Sequence, residues 1–139
     1  MRVKDLITRP PVTVRPTTPV LEARRMMLER RLRHLLVTEH EKLVGIVTDR
    51  DIRLNMPSPA TTLSVWELNY LLARLTVGEV MTKSVIVVDS QRDAREAAAI
   101  LLSEKIGALP VLEGETLVGI VTETDFLRAF AEFLALATR

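Results

Sequence analysis

Two copies of one short motif contain the residues of this sequence whose types and spacing suit ligand chemistry. The pattern Gly-Ile-Val-Thr-x-x-Asp runs from Gly45 to Asp51 and again from Gly119 to Asp125. Its apolar part predicts a buried strand, which places the threonine at the strand end and the aspartate in the first turn of a helix. An ionised carboxylate only accepts hydrogen bonds and therefore suits the paired hydroxyls of a ribose. The threonine hydroxyl can bind ribose or phosphate, and exposed N–H groups at a helix start favour negative charge.

The same spacing also fits a purely structural role. Threonine and an acidic residue three positions later can form a capping arrangement that satisfies the first N–H groups of a helix without any ligand. For one occurrence, that interpretation is favoured over ligand binding. Two occurrences at one register favour the ligand site, with Thr48, Asp51, Thr122 and Asp125 as its candidate residues.

The motif belongs to a longer internal repeat. A shift of 74 positions aligns Val3–Leu54 with Val77–Arg128 without a gap, and 17 of the 52 aligned pairs are identical. Unrelated sequences of ordinary composition would agree at roughly one position in twenty. The chain therefore contains one duplicated unit.

Each copy predicts the order β-α-β-β-α, an α/β (α+β) unit with a small mixed sheet. The predicted strands and helices are Pro11–Val14, Val20–Leu32, Leu35–Val37, a strand from Leu43 and a helix near Asp51, then Ser84–Val88, Ala94–Ile106, Leu109–Val111, a strand from Leu117 and a helix near Asp125. Helical spacing predicts that Val20, Ala23, Met27 and Leu28, and likewise Ala97, Ala98, Leu101 and Leu102, face the interior.

A different segment separates the copies. Asn55–Ala60 is a helix-breaking cluster, and Thr61–Ser64 can cap a further helix over 65–75. The predicted domains are residues 1–56 and 77–139, with 57–76 as the linker. The linker helix is interpreted as a packed connection, with a partner-binding helix as the alternative.

Composition excludes several classes of function. The net charge of the 139 residues is +1, which gives no general attraction to nucleic acid or membranes. There is no cysteine, no apolar run of membrane-spanning length and no signal-peptide pattern, so a cytoplasmic protein is expected. Neither His34 and His40 nor the Asp49-Arg50-Asp51 run predicts a metal site. No P-loop, Rossmann glycine pattern or catalytic triad is present, so no catalytic residue and no enzyme activity are predicted.

Both copies resemble the CBS (cystathionine-β-synthase) domain along almost their whole length. The resemblance rests on Met81-Thr82-Lys83, Leu109-Pro110-Val111 and both Gly-Ile-Val-Thr-x-x-Asp strands. The first copy departs from the family pattern at Ile7-Thr8-Arg9 and at Leu36. The resemblance implies a pseudo-two-fold pair, a Bateman module, with a regulatory, energy-sensing function. It would bind AMP, ADP, ATP or an S-adenosylmethionine-like ligand, and no covalent cofactor, in a cleft between the copies.

The resemblance also implies roles for individual positions. The motif Thr and Asp of each copy would hold ribose. The residues implied to flank adenine are Val12, Thr13, Leu35, Leu36, Val85, Ile86, Leu109 and Pro110. The residues implied to contact phosphate are Arg33, His34 and Arg50, with Arg9 and Lys83 as additional candidates. Because Gly107, Ala108 and Thr124 replace the first three in the second copy, the two clefts are expected to be unequal.

Two further expectations concern partners. The segment Pro57–Leu72 resembles the linker of CBS-pair proteins of the acetoin-utilisation type, whose relatives often carry an ACT (amino-acid-sensing) domain. The stripe of Phe126, Leu127, Phe130, Phe133 and Leu134 is expected to lie mostly in the core, and any remainder would serve a homodimer. A structural dimerisation module with empty clefts is the alternative to ligand sensing, and a regulated partner protein is left unnamed.

Overall fold

The computed structural model describes residues 1–7, 9–57 and 62–138. A short 3-10 helix, Val3–Asp5, is followed by β1 (Thr13–Val14), α1 (Val20–Arg30), β2 (His34–Glu39), β3 (Lys42–Thr48), α2 (Asp49–Leu54), α3 (Val65–Arg74), α4 (Val77–Val80), β4 (Val88–Asp89), α5 (Ala94–Glu104), β5 (Ala108–Glu113), β6 (Thr116–Thr122) and α6 (Glu123–Ala137). The expected order of strands and helices is confirmed. Thr8, Thr61 and the Ser58–Ala60 part of the breaker cluster lie outside the described residues.

Each copy builds a three-stranded mixed sheet, as expected. In the order β1-β2-β3, β1 runs parallel to β2, and β2 runs antiparallel to β3. The order β4-β5-β6 repeats this pattern with the corresponding register. Because a helix connects the parallel strands and a tight turn connects the antiparallel ones, the chain order alone accounts for both directions.

The compact units of the structure do not coincide with the repeats of the sequence, because each unit contains the opening segment of the other repeat. One unit is Val12–Ser84, here called the β1–β3 unit. The other combines Met1–Pro11 with Val85–Arg139 and is called the β4–β6 unit. Each unit thus takes a short segment from the start of the other repeat.

Hydrogen bonds and apolar burial hold the opening segment of the second repeat, Val77–Ser84, in the β1–β3 unit. Val77 and Val80 are buried in its core cluster. The Val77 N–H donates to the Thr18 carbonyl at 2.8 Å, and the Gly78 N–H donates to the Pro16 carbonyl at 2.8 Å. The segment therefore completes the core around α1 and the sheet.

The N-terminal segment plays the same part in the β4–β6 unit. Val3 is fully buried in its core cluster with Leu109, Val111 and Val121. The Val3 N–H donates to the Arg92 carbonyl and the Lys4 N–H to the Ser90 carbonyl, both at 2.9 Å. Neither short helix was expected from the sequence, since three or four residues are too few to establish a helical period.

The first strand of each copy is shorter than predicted. Strand β4 contains only Val88 and Asp89, although the β-branched run predicts a strand from Ser84. Only these two residues pair with β5, at Val111 and Leu112. The run has strand propensity, but a strand forms only where a neighbouring strand pairs with it.

Several apolar side chains expected in the interior are exposed. In α1, Val20, Ala23 and Met27 are buried as predicted, whereas Leu28 is exposed, as is Leu102 in α5. Leu28 lies about 80° around the helix from Val20, since each residue advances the helix by about 100°. The prediction for these two leucines was wrong because the buried stripe is narrower than assumed.

The last helix and the linker helix also differ from expectation. In α6 the predicted core stripe is half-buried only at Phe126, and its other members are exposed: Leu127, Phe130, Phe133 and Leu134. Helix α3 lies against α1 but buries none of its residues fully, and Trp66 is 85% exposed. These two faces therefore contribute little to the core of this chain. No helix among the described residues is long and apolar enough to cross a membrane.

Candidate functional site

Thr48 and Asp51 form a reciprocal cap at the start of α2. The Asp51 N–H donates to Thr48 Oγ1 at 3.0 Å, and the Thr48 N–H donates to Asp51 Oδ2 at 2.9 Å. Both side chains are half-buried. The structural role considered from the sequence is thus present. Among the described residues, however, no hydrogen bond reaches Asp51 Oδ1, so that oxygen can accept a ligand hydroxyl.

Thr122 and Asp125 form the same cap at the start of α6, with more contacts. The Thr122 N–H donates to Asp125 Oδ2 at 2.8 Å, and the Thr122 hydroxyl donates to it at 3.1 Å. Arg128 Nη1 donates to the other oxygen, Oδ1, at 3.4 Å. Asp125 is only 6% exposed. Both of its oxygens are therefore already engaged within the protein.

The sheet register brings three distant segments of the β1–β3 unit to one edge. His34 in β2 pairs with Thr48 in β3, and the Asp49 N–H donates to the Arg33 carbonyl at 3.0 Å. Val12 joins them because its carbonyl accepts the Leu36 N–H at 3.3 Å. The candidate ribose, adenine and phosphate residues of the first copy thus lie along neighbouring strand ends.

The β4–β6 unit repeats this edge. Ala108 pairs with Thr122, and the Glu123 N–H donates to the Gly107 carbonyl at 3.0 Å. Val85 and Ile86 precede β4 and lie outside any strand, with Ile86 exposed. The two edges therefore share the strand register and the hydrogen bond at the helix start, and they differ in side chains.

The predicted adenine-flanking residues fall into two groups. Leu35 and Leu109 belong to the core clusters, and Leu36 and Pro110 are also buried. Val12 and Val85 are half-buried, and Thr13 is exposed. A ligand at either edge would therefore contact the backbone of the buried leucines. The residues that precede or lie in β1, and those that precede β4, would contact it with their side chains.

The basic candidates are divided between the units. Arg33 and Arg50 are exposed near the start of α2: the Arg33 carbonyl accepts the Asp49 N–H, and Arg50 is the second residue of the helix. His34 is half-buried and pairs with Thr48. Lys83 belongs to the same unit, next to the isolated bridge between Thr82 and Ile46. The β1–β3 unit thus contains four of the five predicted phosphate contacts.

Arg9, the fifth candidate, belongs to the β4–β6 unit and is engaged elsewhere. Its Nη2 lies 3.1 Å from Glu113 Oε1. Glu113 is at the opposite end of β5 from Ala108, where the candidate site lies, and five residues of strand span about 16 Å. The structure does not bring Arg9 to Thr122 and Asp125.

Sequence reasoning missed Arg128, whose position three residues after Asp125 on a predicted helix was the available signal. It also missed an apolar surface groove along α3, lined by Leu63, Trp66, Glu67, Tyr70 and Leu71, none of which belongs to the predicted ligand site.

Among residues 1–7, 9–57 and 62–138, no cluster of three or more His, Asp or Glu side chains could hold a metal ion.

Comparisons with known proteins agree with this architecture. The CBS domain family model matches residues 3–58 and 77–132. A putative acetoin utilization protein (AcuB) from Vibrio cholerae has a similar structure, with a TM-score of 0.82 and 31% identity, covering 99% of this chain and 96% of that one.

Two similar structures contain adenosine ligands. CBSX2 in complex with AMP has a TM-score of 0.77 and 32% identity, covering 94% of this chain and 97% of that one. The CBS domain pair of protein MJ0100, in complex with 5-methylthioadenosine and S-adenosyl-L-methionine, has a TM-score of 0.77 and 28% identity, covering 95% of this chain and 97% of that one.

Among the curated relatives, the first three are proteins with enzyme names, and the chain spans 23–24% of the length of each. The aligned part covers 91–94% of this chain. Two family matches that together cover most of the sequence, on two sheets of the same topology, lead to one conclusion: the chain belongs to the CBS domain family as a tandem CBS pair.

Proposed function

We propose that this CBS pair is a regulatory module that binds an adenosine nucleotide and is not itself an enzyme. The observation that carries the proposal is the half-buried Asp51 carboxylate, whose Oδ1 accepts no hydrogen bond from the described residues, at a helix start that adjoins the exposed Arg33 and Arg50. Ribose hydroxyls would donate to that carboxylate, and the phosphate would face the two guanidinium groups. AMP, ADP, ATP and S-adenosylmethionine are the candidate ligands, free in the cytoplasm and not covalently attached.

The similar structures support this class of ligand. CBSX2 binds AMP, and the MJ0100 pair binds 5-methylthioadenosine and S-adenosyl-L-methionine. All three molecules contain an adenosine moiety, which fits a site built from a ribose-binding carboxylate and strand edges. A ligand would regulate by its difference in affinity for two conformations of the pair or of its assembly with a partner protein.

A purely structural function is the second candidate, and two observations favour it. The reciprocal caps give both motif aspartates a role without any ligand. The exposed stripe on α6 includes Phe130 and Phe133, whose rings stack with their centroids 6.3 Å apart, and it offers a surface for a second copy of the chain. Under this alternative the protein is a dimerising module with empty sites.

Calorimetric titration of AMP, ADP, ATP and S-adenosylmethionine into the purified chain and into Asp51→Ala and Asp125→Ala separates the candidates. For the proposed function, Asp51→Ala should weaken binding by at least about tenfold, because it removes charge-assisted hydrogen bonds. The fold should survive, since losing a cap costs about 0.5–2 kcal/mol.

Asp49→Ala is the matched control. It removes a carboxylate from the same helix, one that pairs with Arg53 at 3.0 Å and takes no part in the cap. Its effect on ligand affinity should stay below about fivefold, the scale of one exposed charge interaction. Absence of binding by all four ligands to well-folded protein would favour the structural function.

A further inference from the structure

Helix α1 and the residues that follow it are dense in arginine. Residues 24–33 contain five arginines and one acid, whereas the matching residues of the second repeat, 98–107, contain one lysine and one glutamate. All five arginines are exposed. The β1–β3 unit, residues 12–84, contains 11 Lys and Arg against 8 Asp and Glu, and the rest of the chain contains 8 against 10. The near-neutral sequence therefore contains a locally basic surface.

Most of these arginines have no acidic partner. Within the described part of the chain, Arg24, Arg30 and Arg31 form no ion pair. Arg25 lies 4.0 Å from Glu29, and both side chains are 68% exposed. An exposed pair of this kind contributes at most about 1 kcal/mol, so a better acidic partner can replace it. The positive charge of α1 is therefore available to a binding partner.

Apolar side chains share one side of α1 with the arginines. Since each residue advances the helix by about 100°, Leu21, Arg24 and Arg25 lie within about 60° of Leu28, and Arg31 follows at the end of the helix. Leu28 is 70% exposed and Leu21 is 41% exposed. We call these five residues the arginine face of α1. The helix dipole favours a cation at the helix end, which accounts for Arg31 but not for the other four residues.

The chemistry of the arginine face fits an acidic, amphipathic protein segment. A guanidinium group forms two parallel hydrogen bonds with a carboxylate, and arginine is enriched at protein interfaces where lysine is depleted. All five cations of residues 24–33 are arginines. Nucleic acid would leave Leu21 and Leu28 without apolar contacts, and two leucines give a bilayer little apolar area to bury. A protein segment satisfies both kinds of side chain.

We propose that the arginine face of α1 is a docking site for an acidic amphipathic helix of a partner protein. Apolar residues of that helix would contact the two leucines, and its Asp and Glu side chains would pair with the three arginines. The arginine face lies on a different helix from the Asp51 carboxylate. The docking site therefore goes beyond nucleotide binding and does not depend on it.

A fluorescent peptide of about 20 residues tests the docking site, because this length can form a helix in water. It contains Leu at helical spacing, Glu beside each Leu and Ala elsewhere, and a matched peptide contains Gln in place of Glu. Fluorescence anisotropy measures the binding of each peptide to the unaltered full chain. Only the Glu peptide should bind. Arg24→Gln with Arg31→Gln should weaken its binding at least about tenfold, because charge-assisted hydrogen bonds are lost, and Leu28→Ser should weaken it at least about threefold through lost apolar contact.

Arg15→Gln with Lys42→Gln is the matched control, since it removes the same charge from the same unit. Both residues are exposed, lie outside α1 and form no ion pair among the residues that the structure describes. This variant should change the Kd of the Glu peptide by less than about threefold. Circular dichroism spectra verify that every variant remains folded.

Three results with the peptides would overturn the docking site: no binding to the folded unaltered chain, equal binding of the Glu and Gln peptides, or equal weakening by the two double variants. A lower sedimentation mass for Arg24→Gln with Arg31→Gln would overturn it too, because the face would then be a contact between copies of the chain. Tighter binding of RNA, or of vesicles of phosphatidylcholine and phosphatidylserine, through these arginines would replace the protein partner by a different one.

Discussion

Ile46 and Thr82 exchange both of their backbone hydrogen bonds, at 3.0 and 2.9 Å, although they belong to different repeats of the sequence. This bridge fastens the segment at the start of the second repeat to strand β3 of the first. Gly45 lies next to the bridge, and a Cβ at this glycine would be 2.9 Å from the Thr82 carbonyl oxygen and 2.6 Å from Met81 Sδ. The absence of a side chain at residue 45 thus permits the close approach.

Gly45→Ala should therefore destabilise the protein. The Met81 side chain can move, but the Thr82 carbonyl is held by the Ile46 N–H, so the added methyl group must displace paired backbone. Overpacking of this kind costs about 1–3 kcal/mol. Urea denaturation of the variant and the unaltered chain measures the loss, and an unchanged midpoint would show that the segment is not packed on β3.

Removing the two motif aspartates should have unequal effects on stability. Asp51→Ala removes a half-buried cap and should cost about 0.5–2 kcal/mol. Asp125→Ala should cost more, because this carboxylate is buried and also accepts from the Thr122 hydroxyl and Arg128. Arg128→Ala is the control for the ion pair, whose arginine is exposed, with an expected loss of about 0–1 kcal/mol. Equal denaturation midpoints for the two aspartate variants would contradict this ranking.

The cap of α5 should make stability depend on pH in acid. Hydrogen bonds from the Arg95 side chain, and then from its backbone N–H, lower the pKa of Asp93 below its ordinary value. Because the folded state favours the ionised carboxylate, its stabilisation is complete above the ordinary aspartate pKa and is lost as the pH falls through the lowered value.

Asp93→Asn isolates this charge, since asparagine is also a good N-cap residue. The difference in Tm between the unaltered chain and Asp93→Asn should be constant from neutral pH to about 5 and should shrink below about 4. Thermal melts at a series of pH values measure it. A Tm difference that persists undiminished into strong acid would show that ionisation of the Asp93 carboxyl does not contribute to stability.

The exposed face of α6 should control self-association. Phe130 is 55% exposed and stacks on the exposed Phe133, and such a patch is stable in water mainly when a partner covers it. Sedimentation of the unaltered chain should give a mass above the 15.6 kDa of one copy, and Phe130→Ser should lower it. Trp66→Ser on α3 is the control, with no expected effect on mass. A monomeric unaltered chain at high concentration would rule out this role for α6.

Local sequence patterns were sufficient to predict most of the secondary structure and the position of the Thr–Asp motif at two helix starts. The β-α-β-β-α order, the mixed sheets and the Thr–Asp pairs at helix starts follow from residues close together in the chain, and the duplication follows from comparing residues 74 positions apart. Periodicity and capping depend on neighbours three or four positions apart, which a single sequence displays directly.

The tertiary structure alone decided which side chains share a surface. It placed Val77–Ser84 in the β1–β3 unit and paired Arg9 with Glu113, 104 positions away, so that one predicted phosphate contact is engaged away from the Thr122–Asp125 cap of its own unit. It also left α6 exposed where helical spacing suggested a core stripe. Amphipathic spacing shows that a helix has an apolar face, but only the packing of distant segments determines whether the same chain covers that face.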